Sequence, residues 1–253
     1  MTQQDILLDT RPKNYLGSSL LFVGIFSTAT IAGFFILITT PFSFALGYWV
    51  SKVWCIVVLK MAKWFCGIEY QVEGLENVEE VTGIVFCNHQ SAWETLAVRA
   101  ILPRHQATLL KRSLTWFPIW GWALAILKSI SIDRDKPRDA LRQLLTQGKT
   151  YLEEGLFLVI YPEGTRTAAG QVEKFNAGGS MLAQQTGFPV IPIAHNAGDF
   201  WPRYSFFKYK GVIKVKIGKP ILTQGRKASE INNEAEQWIR TTVAQITTIT
   251  TEH

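Results

Sequence analysis

The chain has 253 residues, enough for one domain with a short appendage, and 26 Lys and Arg against 20 Asp and Glu give it a net charge of +6. Its three cysteines form no framework of paired disulfides and match no zinc-site spacing, so a reducing cytosolic face is the predicted setting. An excess of basic residues suits an anionic membrane, an anionic substrate or nucleic acid, although such residues can also serve only to solvate the surface. The nine tryptophans favour a membrane interface over a nucleic-acid partner.

The first predicted element is a hydrophobic helix. Residues 14–51 carry no charged side chain, and the run Gly17–Thr39 is long enough to cross a bilayer. A buried core helix is the alternative, but such helices rarely lack a polar face over this length. Basic residues flank the run on both sides, which favours both ends on the cytoplasmic side and a chain that bends near Pro41 and returns.

The second predicted element is an amphipathic helix from Val50 to Cys66. At helical spacing Lys52, Lys60 and Lys63 share one arc and the remaining positions are mostly apolar, a pattern typical of a helix in the headgroup layer. We expect a re-entrant or monotopic hairpin, with a bitopic span as the alternative. Residues 1–66 are therefore predicted to be a membrane anchor, and residues 67–253 a globular domain.

The remainder predicts an α/β domain with a mostly parallel sheet flanked by helices. Short apolar runs alternate with helical patterns, which is typical of such sheets, and their sites form at the carboxyl ends of strands. The predicted strands are Gly83–Cys87, Ala107–Leu110, Ser129–Ile132, Leu156–Tyr161, Val190–Ala194 and Val212–Gly218, and the predicted helices are Pro137–Glu154, Gly179–Thr186 and about Ser229–Thr247.

The stretch CNHQSAWET, residues 87–95, follows the first of these strands. With His89 in the strand-to-helix turn and Glu94 in the first helical turn, the carboxylate can reach one ring nitrogen and raise the basicity of the other. Such a pair can take a proton from an alcohol. A capped helix start beside an ordinary polar histidine is the alternative.

Three further motifs follow later strands. In SIDRDKPR, Arg134 is placed to grip a phosphate, or the segment is a charged surface turn. In YPEGTRT, Glu163 can bind a hydroxyl or hold Arg166, and Arg166 can bind phosphate. Backbone N–H groups around Gly164 can contribute to phosphate binding. The alternative is that the motif is a structural salt bridge. In VIPIAHNAG, His195 is a candidate second catalytic residue, although a structural or pocket-lining role is favoured.

Signatures of other chemistries are missing from the sequence. There is no G-x-S-x-G elbow, P-loop, G-x-G-x-x-G or H-E-x-x-H, and a metal held by His89 and Glu94 lacks a convincing third ligand.

Taken together and in this order, the motifs resemble those of the glycerophospholipid acyltransferase superfamily, most closely its bacterial members that acylate 1-acyl-sn-glycerol-3-phosphate. N-H-Q-S-A-W-E resembles the family's N-H-x4-D, the arginine of Ile132-Asp133-Arg134 its second motif, Tyr161–Thr167 its F-P-E-G-T-R-S, and VIPI its fourth. The resemblance spans roughly Val72–Gly218.

The resemblance implies a glycerolipid acyltransferase-like fold and a role for each matched residue. His89 would be the base for the sn-2 hydroxyl of lysophosphatidic acid and Glu94 its orienter, with oxyanion donors near the first helical turn. The glycerol phosphate would be held by Arg134, Glu163, Gly164, Thr165 and Arg166, with Lys111 as a further phosphate ligand. Acyl-CoA or acyl-carrier protein would donate the acyl group, with no metal, cofactor or covalent intermediate. The product would be phosphatidic acid, made at the cytoplasmic face of a bacterial inner membrane.

Departures from the family pattern leave the acyl acceptor open. Glu94 stands where aspartate is usual, Lys128 and Ser131 where glycine and phenylalanine are common, and Asn176 where a lysine often occurs. Glycerol-3-phosphate or another lysolipid, such as a lyso-aminolipid, is an alternative acceptor. A non-catalytic membrane lipid-binding protein and a lipid hydrolase are further alternatives, although the histidine–acid pair argues against the first and no nucleophile is evident for the second.

Overall fold

The N-terminal part of the chain is a pair of helices. The computed structural model describes residues 11–133 and 135–248, and Arg134 lies outside them. Helix α1 (Tyr15–Thr39) begins where the Asn14 side chain accepts the Gly17 N–H, and helix α2 (Phe44–Cys66) begins where Ser43 Oγ accepts the Leu46 N–H. Both helices are long and apolar enough to cross a membrane by length and composition.

Helix α2 differs from its prediction in start and surroundings. It begins at Phe44, six residues before the predicted Val50, because Ser43 caps it there. Lys52 Nζ donates to the Leu102 carbonyl (2.9 Å), and Val58 and Met61 are buried within the protein. Part of the apolar face of this helix therefore packs on α1 and the domain, and the position of the helix in the headgroup layer stays a prediction. The division at residue 66 stays a prediction.

The domain is built on a sheet that, among the described residues, has seven strands in the order β1-β7-β6-β2-β5-β3-β4. Neighbouring strands are parallel except for β6 and β7. This confirms the predicted mostly parallel sheet. The strands are β1 (Ile68–Glu73), β2 (Ile84–Cys87), β3 (Gln106–Lys111), β4 (Ile130–Ile132), β5 (Phe157–Ile160), β6 (Val190–His195) and β7 (Gly211–Ile217).

Helices cover both faces of the sheet, which explains why the central strands are apolar throughout. Val85 of β2 points into a core shared with α2 and α3, whereas Phe86 points into a core shared with α5, α6 and α7. The helices are α3 (Trp93–Ile101), α4 (Trp120–Ile126), α5 (Pro137–Glu153), α6 (Gly178–Thr186) and α7 (Ala228–Ile246). All six predicted strands and all three predicted helices are present, whereas β1 and α4 were not predicted.

Candidate active site

Three loops meet at the carboxyl edge of the sheet around its central strand. His89 follows β2, Glu163 follows β5 and His195 ends β6; β2 pairs with both β5 and β6. The parallel arrangement therefore brings together side chains that lie 74 and 106 residues apart in the chain, as expected for a site in this class of sheet.

His89 and Glu94 form the predicted pair. Nδ1 of His89 lies 2.7 Å from Oε1 of Glu94, whose side chain is fully buried, while the His89 side chain keeps 14% of its surface exposed. Since a carboxylate only accepts hydrogen bonds, Nδ1 carries the proton and Nε2 is left as an acceptor. No described residue bonds Nε2, so this nitrogen is free to take a proton from a bound hydroxyl.

Glu94 is held as an ionised group. Its Oε1 also accepts the backbone N–H groups of Gln90 (2.9 Å) and Ser91 (2.8 Å). Burial by itself raises the pKa of a carboxyl group, but electrostatic interaction with the His195 and His89 imidazoles and these hydrogen bonds outweigh it, and the pKa of Glu94 lies below its usual value. A negative Glu94 stabilises the imidazolium that forms when His89 accepts a proton.

Hydrogen bonds within the same segment also hold the turn that leads into α3. Ser91 Oγ accepts the Trp93 N–H at 3.1 Å, whereas Ala92, the N-cap residue, makes no side-chain cap. These hydrogen bonds have a consequence for the predicted oxyanion donors. The N–H groups of Gln90, Ser91 and Trp93 are all occupied by side chains of this segment, and these three groups do not provide that stabilisation.

The YPEGTRT segment holds His89 from the other side. The His89 N–H donates to Glu163 Oε1 (3.3 Å), and the His89 carbonyl accepts the Thr167 N–H (2.7 Å). The Tyr161 ring stacks on the imidazole with 4.3 Å between centroids. The imidazole thus has a fixed backbone, a stacked face and an oriented Nδ1, leaving Nε2 as its reactive edge.

Glu163 is a buried carboxyl group with an unusual protonation state. Burial, reinforced by the charge of Glu94, raises its pKa to about 8, although hydrogen bonds from His89 and Thr167 oppose the shift. Its Oε2 has no hydrogen-bond partner among the described residues. Near neutral pH the carboxyl group is therefore largely protonated and offers an O–H donor.

Replacement of Glu163 by glutamine is expected to flatten the pH dependence of stability. The unfolded pKa of Glu is about 4.3. Because the folded value is higher, wild-type stability falls as pH rises from about 4.3 to about 8. Glutamine keeps an acceptor for the His89 N–H but cannot ionise. Thermal unfolding between pH 5 and pH 9 should show a smaller loss of Tm in Glu163→Gln than in wild type or in the exposed-site control Glu80→Gln. Equal losses in all three would contradict the raised pKa.

Two sequence interpretations of this segment are corrected. Glu163 bonds the backbone of His89 and forms no ion pair with Arg166, so the segment is not a structural salt bridge. The Gly164 N–H donates to the Tyr161 carbonyl at 3.0 Å within the turn, and is not available to a ligand. Gly164 itself is required by its backbone, which has φ +74.

Cations without carboxylate partners lie around this turn. Arg166 is half-buried, and Thr165 and Lys111 are exposed. Neither Arg166 nor Lys111 forms an ion pair with a described residue. Lys111 ends β3, which is separated from β2 by β5, so it lies farther from His89 than the YPEGTRT segment does. Unpaired cations beside a proton acceptor suit an anionic substrate that carries a hydroxyl.

Sequence reasoning missed Arg203. Its Nη1 donates to the Arg166 carbonyl at 2.6 Å from a loop that follows β6, which places a guanidinium against the backbone of the YPEGTRT segment. The two residues are 37 positions apart, and Arg203 belongs to none of the four motifs.

Asn88 and His195 join the ends of β2 and β6. The Asn88 side chain donates to the His195 carbonyl (2.9 Å) and accepts the His195 N–H (3.0 Å). The two strands are thereby tied at the point where His89 begins. The favoured sequence interpretation of His195, a structural role, is consistent with this clamp.

The hydrolase alternative finds no support in the nucleophiles near the base. Burial raises the pKa of the Cys87 thiol well above its ordinary value, and Ser91 Oγ is engaged by the Trp93 N–H. Among residues 11–133 and 135–248, no three His, Cys, Asp or Glu side chains form a group that could hold a metal.

A buried histidine–carboxylate pair, an E-G-T-R turn and free cations at the edge of a parallel sheet define an acyltransferase-type site, and the chain belongs to the acyltransferase family, whose model matches residues 69–196. The chain is 43% identical to the 1-acyl-sn-glycerol-3-phosphate acyltransferase of Pseudomonas aeruginosa over 220 residues, which cover 85% of this chain and 84% of that protein.

More distant relatives carry the same name. The protein of Saccharomyces cerevisiae is 28% identical over 76% of this chain and 63% of its own length. The crystal structure of the 1-acyl-sn-glycerophosphate (LPA) acyltransferase of Thermotoga maritima superposes with a TM-score of 0.77, covering 93% of this chain and 97% of that one. At 22% identity this likeness establishes the fold alone.

Proposed function

We propose that this protein transfers an acyl group from a thioester to the sn-2 hydroxyl of 1-acyl-sn-glycerol-3-phosphate, giving phosphatidic acid. The observation that carries the proposal is the His89–Glu94 pair, in which no described residue bonds Nε2 of His89. The pair contacts the YPEGTRT segment, whose Arg166 forms no ion pair with a described residue. The substrate follows from the names of the relatives, above all the one from Pseudomonas aeruginosa. Acyl-CoA or acyl-carrier protein is proposed as the donor.

The reaction requires one proton acceptor and one anion site. Nε2 of His89 takes the proton of the hydroxyl while the hydroxyl oxygen attacks the thioester carbonyl. Glu94 stabilises the imidazolium formed at this point. As the tetrahedral intermediate collapses, the C–S bond breaks and His89 returns the proton to the leaving thiolate. Arg166, with Arg134, Glu163, Thr165 and Lys111, is proposed to hold the glycerol phosphate, and this binding energy orients the hydroxyl.

The direct test is transfer of a labelled acyl group by the purified, detergent-solubilised protein. Acyl-CoA and acyl-carrier protein are compared as donors, and lysophosphatidic acid is compared with glycerol-3-phosphate and a lyso-aminolipid as acceptors. Labelled phosphatidic acid supports the proposal. Efficient acylation of another acceptor, with none of lysophosphatidic acid, would retain the reaction class and overturn the substrate.

Loss of the Arg166 guanidinium is expected to weaken lysophosphatidic acid binding. Hydrogen bonds to charged groups contribute about 1.5–3 kcal/mol each, which corresponds to a rise in KM of about ten- to a hundredfold in Arg166→Ala. KM for the acyl donor should change much less. Steady-state kinetics with each substrate varied checks this, with Arg104→Ala as the control because Arg104 is exposed just before β3, at the opposite edge of the sheet. A rise confined to the donor KM would place Arg166 in the donor site instead.

The localisation proposed is the cytoplasmic face of a bacterial inner membrane, with the helical pair lying along one leaflet. The two apolar helices themselves indicate membrane association. Domain residues contact α1 at successive turns over about 18 Å of its length. These contacts are the Lys208 N–H to Ser18 Oγ (3.1 Å), the Phe206 ring against Phe22 (5.8 Å), and Trp120, which packs on Phe26 (5.0 Å) and donates to Thr30 Oγ1 (3.2 Å).

These contacts argue against an upright transmembrane α1. A perpendicular α1 would draw the loop that carries Phe206, and the loop that leads into α4 at Trp120, into the hydrocarbon, where irregular backbone is costly. Exposed aromatic side chains lie shortly before Trp120 in the chain, notably Trp116 and Phe117, which are 74% and 55% exposed. A monotopic arrangement buries both surfaces in one leaflet.

Trp116→Ser combined with Phe117→Ser is expected to weaken vesicle binding by about tenfold or more, because burying one such side chain contributes about 1.5–3 kcal/mol. Vesicle flotation measures the bound fraction. Leu222→Ser is the control, since Leu222 is 73% exposed and follows β7, away from α1. Equal binding of the double variant and the control would remove Trp116 and Phe117 from the membrane contact.

A further inference from the structure

The ring of His195, at the end of β6, is fixed in one orientation and one tautomer. Nδ1 accepts the Ala197 N–H at 3.1 Å, and Nε2 lies 2.9 Å from the Asn88 carbonyl. A backbone N–H only donates, so the ring proton sits on Nε2 and is directed at the Asn88 carbonyl. The residue is 1% exposed, and burial lowers its pKa despite the opposing charge of Glu94, so the ring is neutral at physiological pH.

The ring faces the oxygen of Glu94 that the rest of the site leaves unsatisfied. Oε1 of Glu94 accepts three hydrogen bonds, from His89, Gln90 and Ser91, whereas the buried Oε2 has no hydrogen-bond partner among the described residues. Nε2 of His195 lies 4.0 Å from Oε2. An unsatisfied carboxylate oxygen in a dry site is costly, and the positive end of an N–H dipole at this distance offsets part of that cost.

We propose that His195 is a positioning residue for the acyl transfer. The positive end of its Nε2–H dipole stabilises the free oxygen of Glu94 electrostatically, so that the opposite oxygen stays directed at Nδ1 of His89. The proposal rests on the proposed function, because it assigns His195 a role in the proton transfer at His89. His195 touches neither substrate nor the reacting atoms and acts through Glu94. The clamp with Asn88 supports the same geometry, since it fixes the residue from which His89 extends.

Two amide substitutions separate the positioning role from a purely structural one. In His195→Gln the side-chain amide nitrogen reaches the place of Nε2 and can donate toward Asn88 and Glu94. In His195→Asn the shorter amide reaches only the place of Nδ1, where its oxygen can accept the Ala197 N–H. We expect kcat to fall about ten- to a hundredfold in the Asn variant, the range found when groups that orient metal-binding side chains are removed, with KM for both substrates nearly unchanged. The Gln variant should keep kcat within about threefold of wild type.

Thermal unfolding of both variants controls for the fold. If both lose activity in proportion to their loss of Tm, or if neither loses activity, His195 is structural and the proposal is wrong. A double-mutant cycle adds a readout that a structural role does not move. In a Glu94→Gln background, His195→Asn should cost little further activity, because the interaction that it removes is already gone. Additive losses would overturn the proposal.

Failure of the proposed function is distinguishable from failure of this inference. If the proposed substrate is wrong, the wild-type protein forms no phosphatidic acid. The double-mutant cycle is then run with the acceptor that the wild-type protein does use. A measurement without turnover completes the test. In ¹⁵N-histidine-labelled protein, the downfield Nδ1 proton of His89, bonded to Glu94, should shift in His195→Asn and remain in place in His195→Gln. The same shift in both variants would contradict the role assigned to Nε2.

Discussion

His89→Ala is expected to lower the rate of acyl transfer by at least about a hundredfold, with little change in KM for lysophosphatidic acid. The imidazole supplies the proton acceptor, and general-base catalysis contributes about 10²–10⁴-fold. The backbone contacts of His89 to Glu163 and Thr167 do not involve the ring, so the segment should keep its course in the variant. Rates of labelled phosphatidic acid formation, taken at saturating donor and acceptor, measure the effect.

A second histidine provides a matched control for this experiment. His105 lies just before β3, at the amino edge of the sheet, where its ring packs on Tyr48 at 4.5 Å. His105→Ala removes the same side chain far from the carboxyl edge and should leave kcat within about twofold of wild type once differences in Tm are taken into account. If His89→Ala keeps the activity of the control, the mechanism that assigns the proton to His89 is wrong.

The strands that position this site were predictable because they are buried on both faces. The runs around β2, β5 and β6 are continuously apolar and end at polar or turn residues, which is the pattern of a central parallel strand. β1 was missed because the edge strand IEYQVE is mostly exposed and carries two glutamates, so its pattern resembles a loop. The early start of α2 was missed because its cap, Ser43, lies inside an uncharged apolar stretch, and the amphipathic pattern of the helix is visible only from about Val50 onward.

Residues that are close together in the sequence could be recognised as parts of the site. The residues that hold them in place are distant in the sequence and could not. His89 and Glu94 are five residues apart, and the E-G-T-R turn is contiguous, so each could be recognised within a short window. The pairing of Asn88 with His195 spans 107 residues, and it depends on β2 and β6 being neighbours in the sheet. The bond from Arg203 to the Arg166 carbonyl likewise depends on how the loop after β6 folds back. Such contacts become visible only when the order of the strands is known.

Glu94→Gln is expected to lower kcat by between about a hundredfold and ten-thousandfold while leaving KM for both substrates nearly unchanged. The amide oxygen can still accept the Gln90 and Ser91 N–H groups, so the turn that leads into α3 keeps its hydrogen bonds. The negative charge that stabilises the His89 imidazolium is lost, and removal of the charge from an orienting carboxylate costs up to about 10⁴ in kcat in the serine-protease triad. Thermal unfolding separates this loss from damage to the fold.

Glu94→Asp distinguishes charge from reach at the same position. Aspartate keeps the charge but is one methylene shorter, and its carboxylate must leave either Nδ1 of His89 or the two backbone N–H groups that share Oε1. A displacement of about 1 Å in a catalytic group can cost about a hundredfold. We therefore expect Glu94→Asp to be more active than Glu94→Gln and less active than wild type. Full activity of the aspartate variant would mean that the turn adjusts to the shorter side chain. If the glutamine variant is as active as wild type, Glu94 takes no part in the proton transfer and only holds the turn through its hydrogen bonds to Gln90 and Ser91.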